Sequence, residues 1–209
     1  MVRKTKEEAL ATRASILDAA ELLFHRQGVS RTSLHDIAQA AGVTRGAVYW
    51  HFKDKADVFT TMMDRVCMPV EDSGPRACAG AGGTGLAGLR AHLQEVFHLV
   101  AHDERARRVI EIATQKVEYV DELMAVRDRH LEVRGGHVAE LAEMFEQAQA
   151  AGEVPAAVPA RQLALGLHAV VDGLLHNWLL DREAFDLEAT GAITVDIFLR
   201  GAAALPPAV

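Results

Sequence analysis

An all-α fold is predicted by three features of the 209-residue chain. The six prolines are confined to positions 69, 75, 155, 159, 206 and 207, which leaves long blocks where a helical hydrogen-bond ladder is permitted. Those blocks are rich in Ala and Leu and repeat their apolar residues at helical spacing. No segment shows a bounded period-2 alternation of the kind a strand requires. Half of the residues are hydrophobic, 24% are charged and the mean hydropathy is +0.06, a globular composition able to bury one large core or two small ones.

Element by element, Thr5 with Glu8 has capping-box spacing, and the helix that follows carries Ile16, Leu17, Ala20, Leu23 and Phe24 on one stripe before Gly28 ends it. Ser33 with Asp36 repeats the signal in its shorter-armed form ahead of Leu34–Ala41. Gly42-Val43-Thr44 then forms a tight turn, Thr44 caps Arg45–Phe52, and Asp54 caps a helix whose stripe is Val58, Phe59, Met62, Met63 and Val66. One break runs from about Pro69 to Gly88, and a second spans Gly152 to Pro159. Two long apolar helices close the chain. A small head over 1–54 and a larger body over 55–209 are the expected domains.

Two short helices joined by a glycine-led turn make a helix-turn-helix pattern. Close packing needs a small residue at the crossing, Ala38, a residue tolerant of the left-handed region, Gly42, and apolar anchors, Ile37, Val43, Val48 and Phe52. With these inside, the second helix turns Arg45, Gly46, Tyr49 and Trp50 outward, and its N-terminal residues are the ones that reach base edges in a major groove. Arg45 is placed to read guanine. Thr44, Tyr49, His51, Lys53 and Lys55 are assigned to phosphates, Thr32 and Ser33 join the DNA set, and Gly46 lets backbone approach backbone. Trp50 also has a packing role open to it, and His51 a capping one. Charge agrees with the placement. Residues 1–55 hold 9 Lys and Arg against 6 Asp and Glu, whereas the remainder holds 13 against 23, so a mildly basic head sits on an acidic body.

From Thr5 to Asp57 the chain resembles the DNA-binding domain of TetR/AcrR-family repressors, most specifically over Ile37-Ala38 and Ala41-Gly42-Val43-Thr44-Arg45-Gly46-Ala47-Val48-Tyr49-Trp50-His51-Phe52-Lys53. The lead Met1–Glu8, the run Arg107–Ile112 and Val171-Asp172-Gly173-Leu174 resemble the branch that represses multidrug efflux operons. The resemblance implies a homodimeric repressor on a palindromic operator, released when a hydrophobic or amphipathic compound enters the body. It also makes the helix after Asp54 the transmission element.

The last two helices carry apolar residues too widely for one stripe: Leu163, Leu167, Val170, Val171, Leu174, Leu175, Trp178 and Leu179, then Phe185, Leu187, Ile193, Val195, Ile197, Phe198 and Leu199. Burial on both sides, against the chain's own core and a second copy, is the expected solution. The alternative is one thick monomeric core. The expected ligand-binding set is Leu93, Val96, Ile110, Ala113, Thr114, His168, Val171, Asp172, Leu175 and His176, in which Asp172 either pairs for packing or meets a donor or cation on the ligand.

Other signals are set aside. Gly80–Gly85 satisfies G-x-G-x-x-G without the strand that a dinucleotide turn requires, Cys67 and Cys78 lack the spacing of a zinc site, and His98 and His102 stand one helical turn apart with no carboxylate in sequence reach. No metal, cofactor or catalytic grouping is expected. No apolar run approaches the roughly 20 residues of a spanning helix, and no signal peptide is found, so a cytoplasmic protein without a membrane partner is expected. A helical binding protein or enzyme with no operator, and a regulator of catabolic genes, remain the alternatives.

Overall fold

The computed structural model describes residues 6–72, 84–118 and 124–206, with residues 66–72 given by their backbone alone. The Thr5 cap, the Cys67 and Cys78 thiols and residues 80–83 lie outside the described residues. Among these residues there are nine helices and no strand: α1 (Lys6–Gln27), α2 (Leu34–Ala40), α3 (Arg45–His51), α4 (Lys55–Asp72), α5 (Gly85–His102), α6 (Glu104–Gln115), α7 (Met124–Ala150), α8 (Ala160–Leu180) and α9 (Leu187–Ala203).

The chain divides into two compact units, residues 1–66 with 108–130, and residues 67–107 with 131–209. This division differs from the expected boundary after residue 54, because the start of α4 and most of α6 pack with the head. In the first unit Ile16, Leu17, Ala20 and Phe24 of α1 are buried as the stripe requires, and the Phe24 ring lies 6.3 Å from that of Phe59 on α4. Gly28 ends α1 at φ +86, and the next amide, Val29, donates to the Lys116 carbonyl at 3.0 Å. Ion pairs complete the unit. Arg108 meets Glu21 at 2.6 Å, His25 lies 3.1 Å from Glu111, and Arg65 meets Asp18 at 2.8 Å.

In the second unit α9 packs most extensively on α5 and next on α8. Gly191 makes the α5 contact possible, since a Cβ there would stand 2.5 Å from the Phe97 ring. Arg90 on α5 bridges to Asp196 on α9 at 2.6 Å. The α7–α8 turn passes through Gly152 at φ +75, buries Val154, and is held by the Gln149 amide, which donates to the carbonyls of Pro155 and Val158.

Two sequence expectations need correction. The first break is narrower than Pro69–Gly88, because α4 continues to Asp72 and α5 begins at Gly85; a proline in the last turn forfeits only one ladder bond. The spanning-length test also has one exception: α8 is long and apolar enough to cross a membrane, with a mean hydropathy of 1.3 over its best window. Core helices pass the same test. α8 buries Leu163, Leu167, Val171, Trp178 and Leu179 and carries Arg161 and Asp172 at its surface.

Candidate nucleic-acid interface

The helix-turn-helix is built as its sequence dictates. Ser33 and Asp36 form a reciprocal capping box at α2, the serine hydroxyl accepting from the Asp36 amide at 3.2 Å while the carboxylate accepts from the Ser33 amide at 2.9 Å. These hydrogen bonds hold the Asp36 carboxyl below its ordinary pKa, the serine hydroxyl contributing most. The turn follows through Gly42 at φ +66, and the Val43 amide donates to the Ala38 carbonyl at 3.0 Å. Thr44 then caps α3 by accepting from the Ala47 amide at 3.2 Å. Ile37, Ala38, Val48 and Phe52 are buried beneath. Above Phe52 the Arg13 guanidinium stacks 5.2 Å from the ring centroid, which ties α1 to the end of α3.

What α3 leaves outside is a compact polar and aromatic surface. Thr44, Arg45 and Gly46 are exposed, Tyr49 is 48% exposed and Trp50 73%. Trp50 is therefore not a core residue of this chain, and its ring meets the neighbouring His51 edge-on at 4.5 Å. Arg45 is held in place by its own helix: its guanidinium donates to the Tyr49 hydroxyl at 3.2 Å and lies over that ring at 5.4 Å. Such a pair loses less freedom on meeting a target than a free arginine would. Gly46 has no internal need to be glycine, since the nearest atom to a Cβ is 3.9 Å away.

Three members of the DNA set have internal duties, of which the sequence reading assigned only the Ser33 cap. Thr32 is 1% exposed, and its hydroxyl donates to the Gly28 carbonyl at 2.8 Å, so the threonine faces inward; the apolar β-branched body favours the core once its hydroxyl is satisfied. Lys55 reaches back to the Ser30 carbonyl at 3.1 Å and holds the loop before α2. The Ser33 side chain is committed to its cap. Lys53 is exposed and His51 half-buried at the far end of α3.

The expected ligand set is divided. Leu93, Val96, His168, Val171, Asp172, Leu175 and His176 belong to the second unit, while Ile110, Ala113 and Thr114 belong to the first. Leu93 and Val171 are buried and His168 and His176 are half-buried, whereas Asp172 is exposed in the single chain rather than enclosed by apolar residues. Thr114 gives its hydroxyl proton to Ile110 of its own helix at 2.8 Å. Sequence reading missed His137, whose ring stacks 6.4 Å from His168, and His92, which burial pushes below the ordinary histidine pKa. The set-aside pair His98 and His102 does have a carboxylate partner, Glu188, brought from α9.

Known proteins resemble this chain over nearly its whole length. The pattern described as "Bacterial regulatory proteins, tetR family" matches residues 16–62, and "MAATS-type transcriptional repressor, C-terminal region" matches residues 85–203. The HTH-type transcriptional regulator TtgR of Pseudomonas putida is 39% identical over 192 residues, covering 90% of this chain and 89% of its own. Among solved structures, NalD of Pseudomonas aeruginosa, described as the secondary repressor of the MexAB-OprM multidrug efflux pump, superposes with a TM-score of 0.82 at 32% identity, covering 94% of this chain and 98% of its own. A SmeT–triclosan complex matches with a TM-score of 0.82 at 32% identity, over 94% and 95% of the two chains.

Proposed function

Because the chain belongs to the TetR family of transcriptional regulators, which are not enzymes, we propose that it is a ligand-responsive repressor of a multidrug efflux operon, acting as a homodimer on a palindromic operator in the cytoplasm. The observation that carries the DNA assignment is the outward row on α3. A seven-residue helix capped by Thr44 presents Arg45, Gly46 and Tyr49 on one exposed face. Arg45 supplies the two parallel donors that match the acceptors of guanine, worth about 1–3 kcal/mol of discrimination per base. Gly46 keeps its neighbourhood open for a sugar-phosphate backbone, while Thr44, Tyr49 and Lys53 hold register on phosphates.

Efflux control is supported by the relatives, since NalD is a repressor of a multidrug pump and SmeT was solved with triclosan. A hydrophobic compound of that type is the inducer class expected for the body, over residues 55–209. Dimerisation is supported by the apolar faces that one chain leaves in water: Leu165 and Leu180 on α8, and Ile193 and Ile197, 62% and 67% exposed, on α9. Surface leucines and isoleucines grouped on two adjacent helices mark an interface. Two copies place two α3 helices on half-sites about one DNA turn apart. The inducer acts by binding the released state more tightly, with α4 carrying the change to the heads.

Fluorescence anisotropy of the full chain on labelled duplexes from its own promoter tests this. Tight binding to an inverted repeat, weakened by triclosan-like compounds, is expected. Indifference to sequence removes the repressor reading, and indifference to every hydrophobic compound removes the efflux one.

A further inference from the structure

Two histidines and a carboxylate of the second unit, none of them in the DNA set, form a cluster. His98 and His102 occupy successive turns of one face of α5, and their rings stand 4.4 Å apart. Both aim at a single carboxylate on another helix: His98 Nδ1 is 2.9 Å from Glu188 Oε1, and His102 Nε2 is 2.9 Å from Glu188 Oε2. One ligating atom from each residue falls within 4.8 Å of the other two. A carboxylate oxygen can only accept, so each imidazole donates one proton to Glu188.

We propose that His98, His102 and Glu188 form a divalent transition-metal site, of the class that takes Zn²⁺ or Co²⁺, joining α5 to α9. The donor set is two imidazole nitrogens and one carboxylate oxygen, a combination that suits borderline cations rather than the hard oxygen-seeking Ca²⁺ or Mg²⁺. Histidines four residues apart on a helix are the usual way to place two nitrogens on one ion. Ligating nitrogens lie about 2.0–2.1 Å from zinc, hence about 3.4 Å from each other in a tetrahedron. Closing the cluster requires shifts of about an ångström at exposed side-chain tips, with no movement of either helix. All three side chains are about half exposed, which leaves the remaining coordination position to water.

The backbones that carry the ligands are fixed. α5 and α9 are locked by the Gly191–Phe97 contact and by the Arg90–Asp196 pair. Ligands on packed helices lose little freedom when the ion arrives. Glu188 also lies about half a turn round α9 from Ile193 and Ile197, given 3.6 residues per turn, so the cluster stays clear of the proposed subunit face. The site is independent of the operator reading.

Titration of chelator-stripped full-length protein with Co²⁺ tests the proposal, because its visible bands report coordination and its near-ultraviolet charge-transfer band reports thiolate. Expected is one Co²⁺ per chain, with a spectrum of nitrogen and oxygen ligation and no thiolate band. Glu188→Gln is expected to weaken binding at least tenfold, and His98→Ala/His102→Ala to weaken it at least a hundredfold. At ten times the dissociation constant, Zn²⁺ raises the melting temperature of the wild type by about 3–6 °C and leaves that of the double variant unchanged. The metal-free double variant still melts cooperatively, since the cluster is at the surface. Unaltered affinity in the double variant, a thiolate band from Cys67 or Cys78, or half-saturation only above a millimolar overturns the assignment.

Discussion

Replacing Gly191 by Ala places two opposing effects on one atom. Alanine is the better helix former by about 1 kcal/mol, so the substitution on its own would stabilise α9. The new Cβ, however, stands 2.5 Å from two carbons of the Phe97 ring and 2.9 Å from a third, and Phe97 is 1% exposed with nowhere to retreat. Relief requires the ring or the helix to move by nearly an ångström, and overpacking of this kind costs about 1–3 kcal/mol. Against a ring that cannot retreat the cost falls in the upper part of that range, about 2–3 kcal/mol, so the clash wins for a net loss of about 1–2 kcal/mol, or roughly 2–8 °C in melting temperature for a chain of this size. Gly136→Ala is the matched control, since its Cβ meets nothing within 4 Å in the exposed middle of α7, and it is expected to gain up to about 1 kcal/mol. Urea unfolding followed by circular dichroism at one fixed protein concentration measures both. The decisive third measurement is Gly191→Ala/Phe97→Leu, in which the smaller side chain accepts the methyl and the two costs fall short of their sum by about 1 kcal/mol. Gly191→Ala as stable as the wild type would refute the α5–α9 packing described above.

Three further predictions concern the first unit and its link to the body. Ser33→Ala removes the hydroxyl that caps α2 and that most lowers the Asp36 carboxyl, and loss of the cap costs about 1 kcal/mol at neutral pH. Asp36 is depressed in the folded state, and its contribution is therefore present above the ordinary carboxylate range and lost as pH falls through the lowered value; the acid limb of the stability profile is shallower in the variant. Arg108→Ala takes the 2.6 Å partner from Glu21, which is 3% exposed, and costs about 2–4 kcal/mol by thermal melting, whereas Arg127→Ala, which gives up an ion pair with the exposed neighbour Asp128, stays within about 0.5 kcal/mol. Spin labels on the two heads of a dimer are expected to change their separation when an inducing compound is added, and a fixed separation would remove α4 from the transmission role.

Legibility differed between the two halves for a physical reason. Everything that makes the helix-turn-helix is local: caps three residues from their partners, a glycine at the one left-handed turn position, and anchors within one or two helical turns. Such features survive in a linear reading. The internal bonds of Thr32 and Lys55 escaped that reading because they depend on the Gly28 and Ser30 carbonyls of a folded loop. The body is held by partners far apart in sequence, and no periodicity links His98 to Glu188, His137 to His168 or Phe97 to Gly191. Asp172 shows a second limit of a linear reading. An acid in an apolar run looks enclosed, yet α8 has an outer face and the residue lies on it. Glu21 attracted no notice for the same reason, because its partner Arg108 lies 87 positions away.

Binding to the protein's own promoter at rising salt, compared between wild type and Arg45→Ala, measures the role of α3 most directly. Phosphate contacts weaken with salt on any duplex, but base contacts preserve a preference for the inverted repeat over a scrambled one. The wild type is expected to keep that preference as salt rises. Arg45→Ala is expected to lose about 5- to 150-fold of it per half-site, through relaxed choice at a single base pair in each, while its binding to scrambled duplex changes little. A wild type that holds both duplexes equally, or an Arg45→Ala that discriminates as well as its parent, would contradict the account.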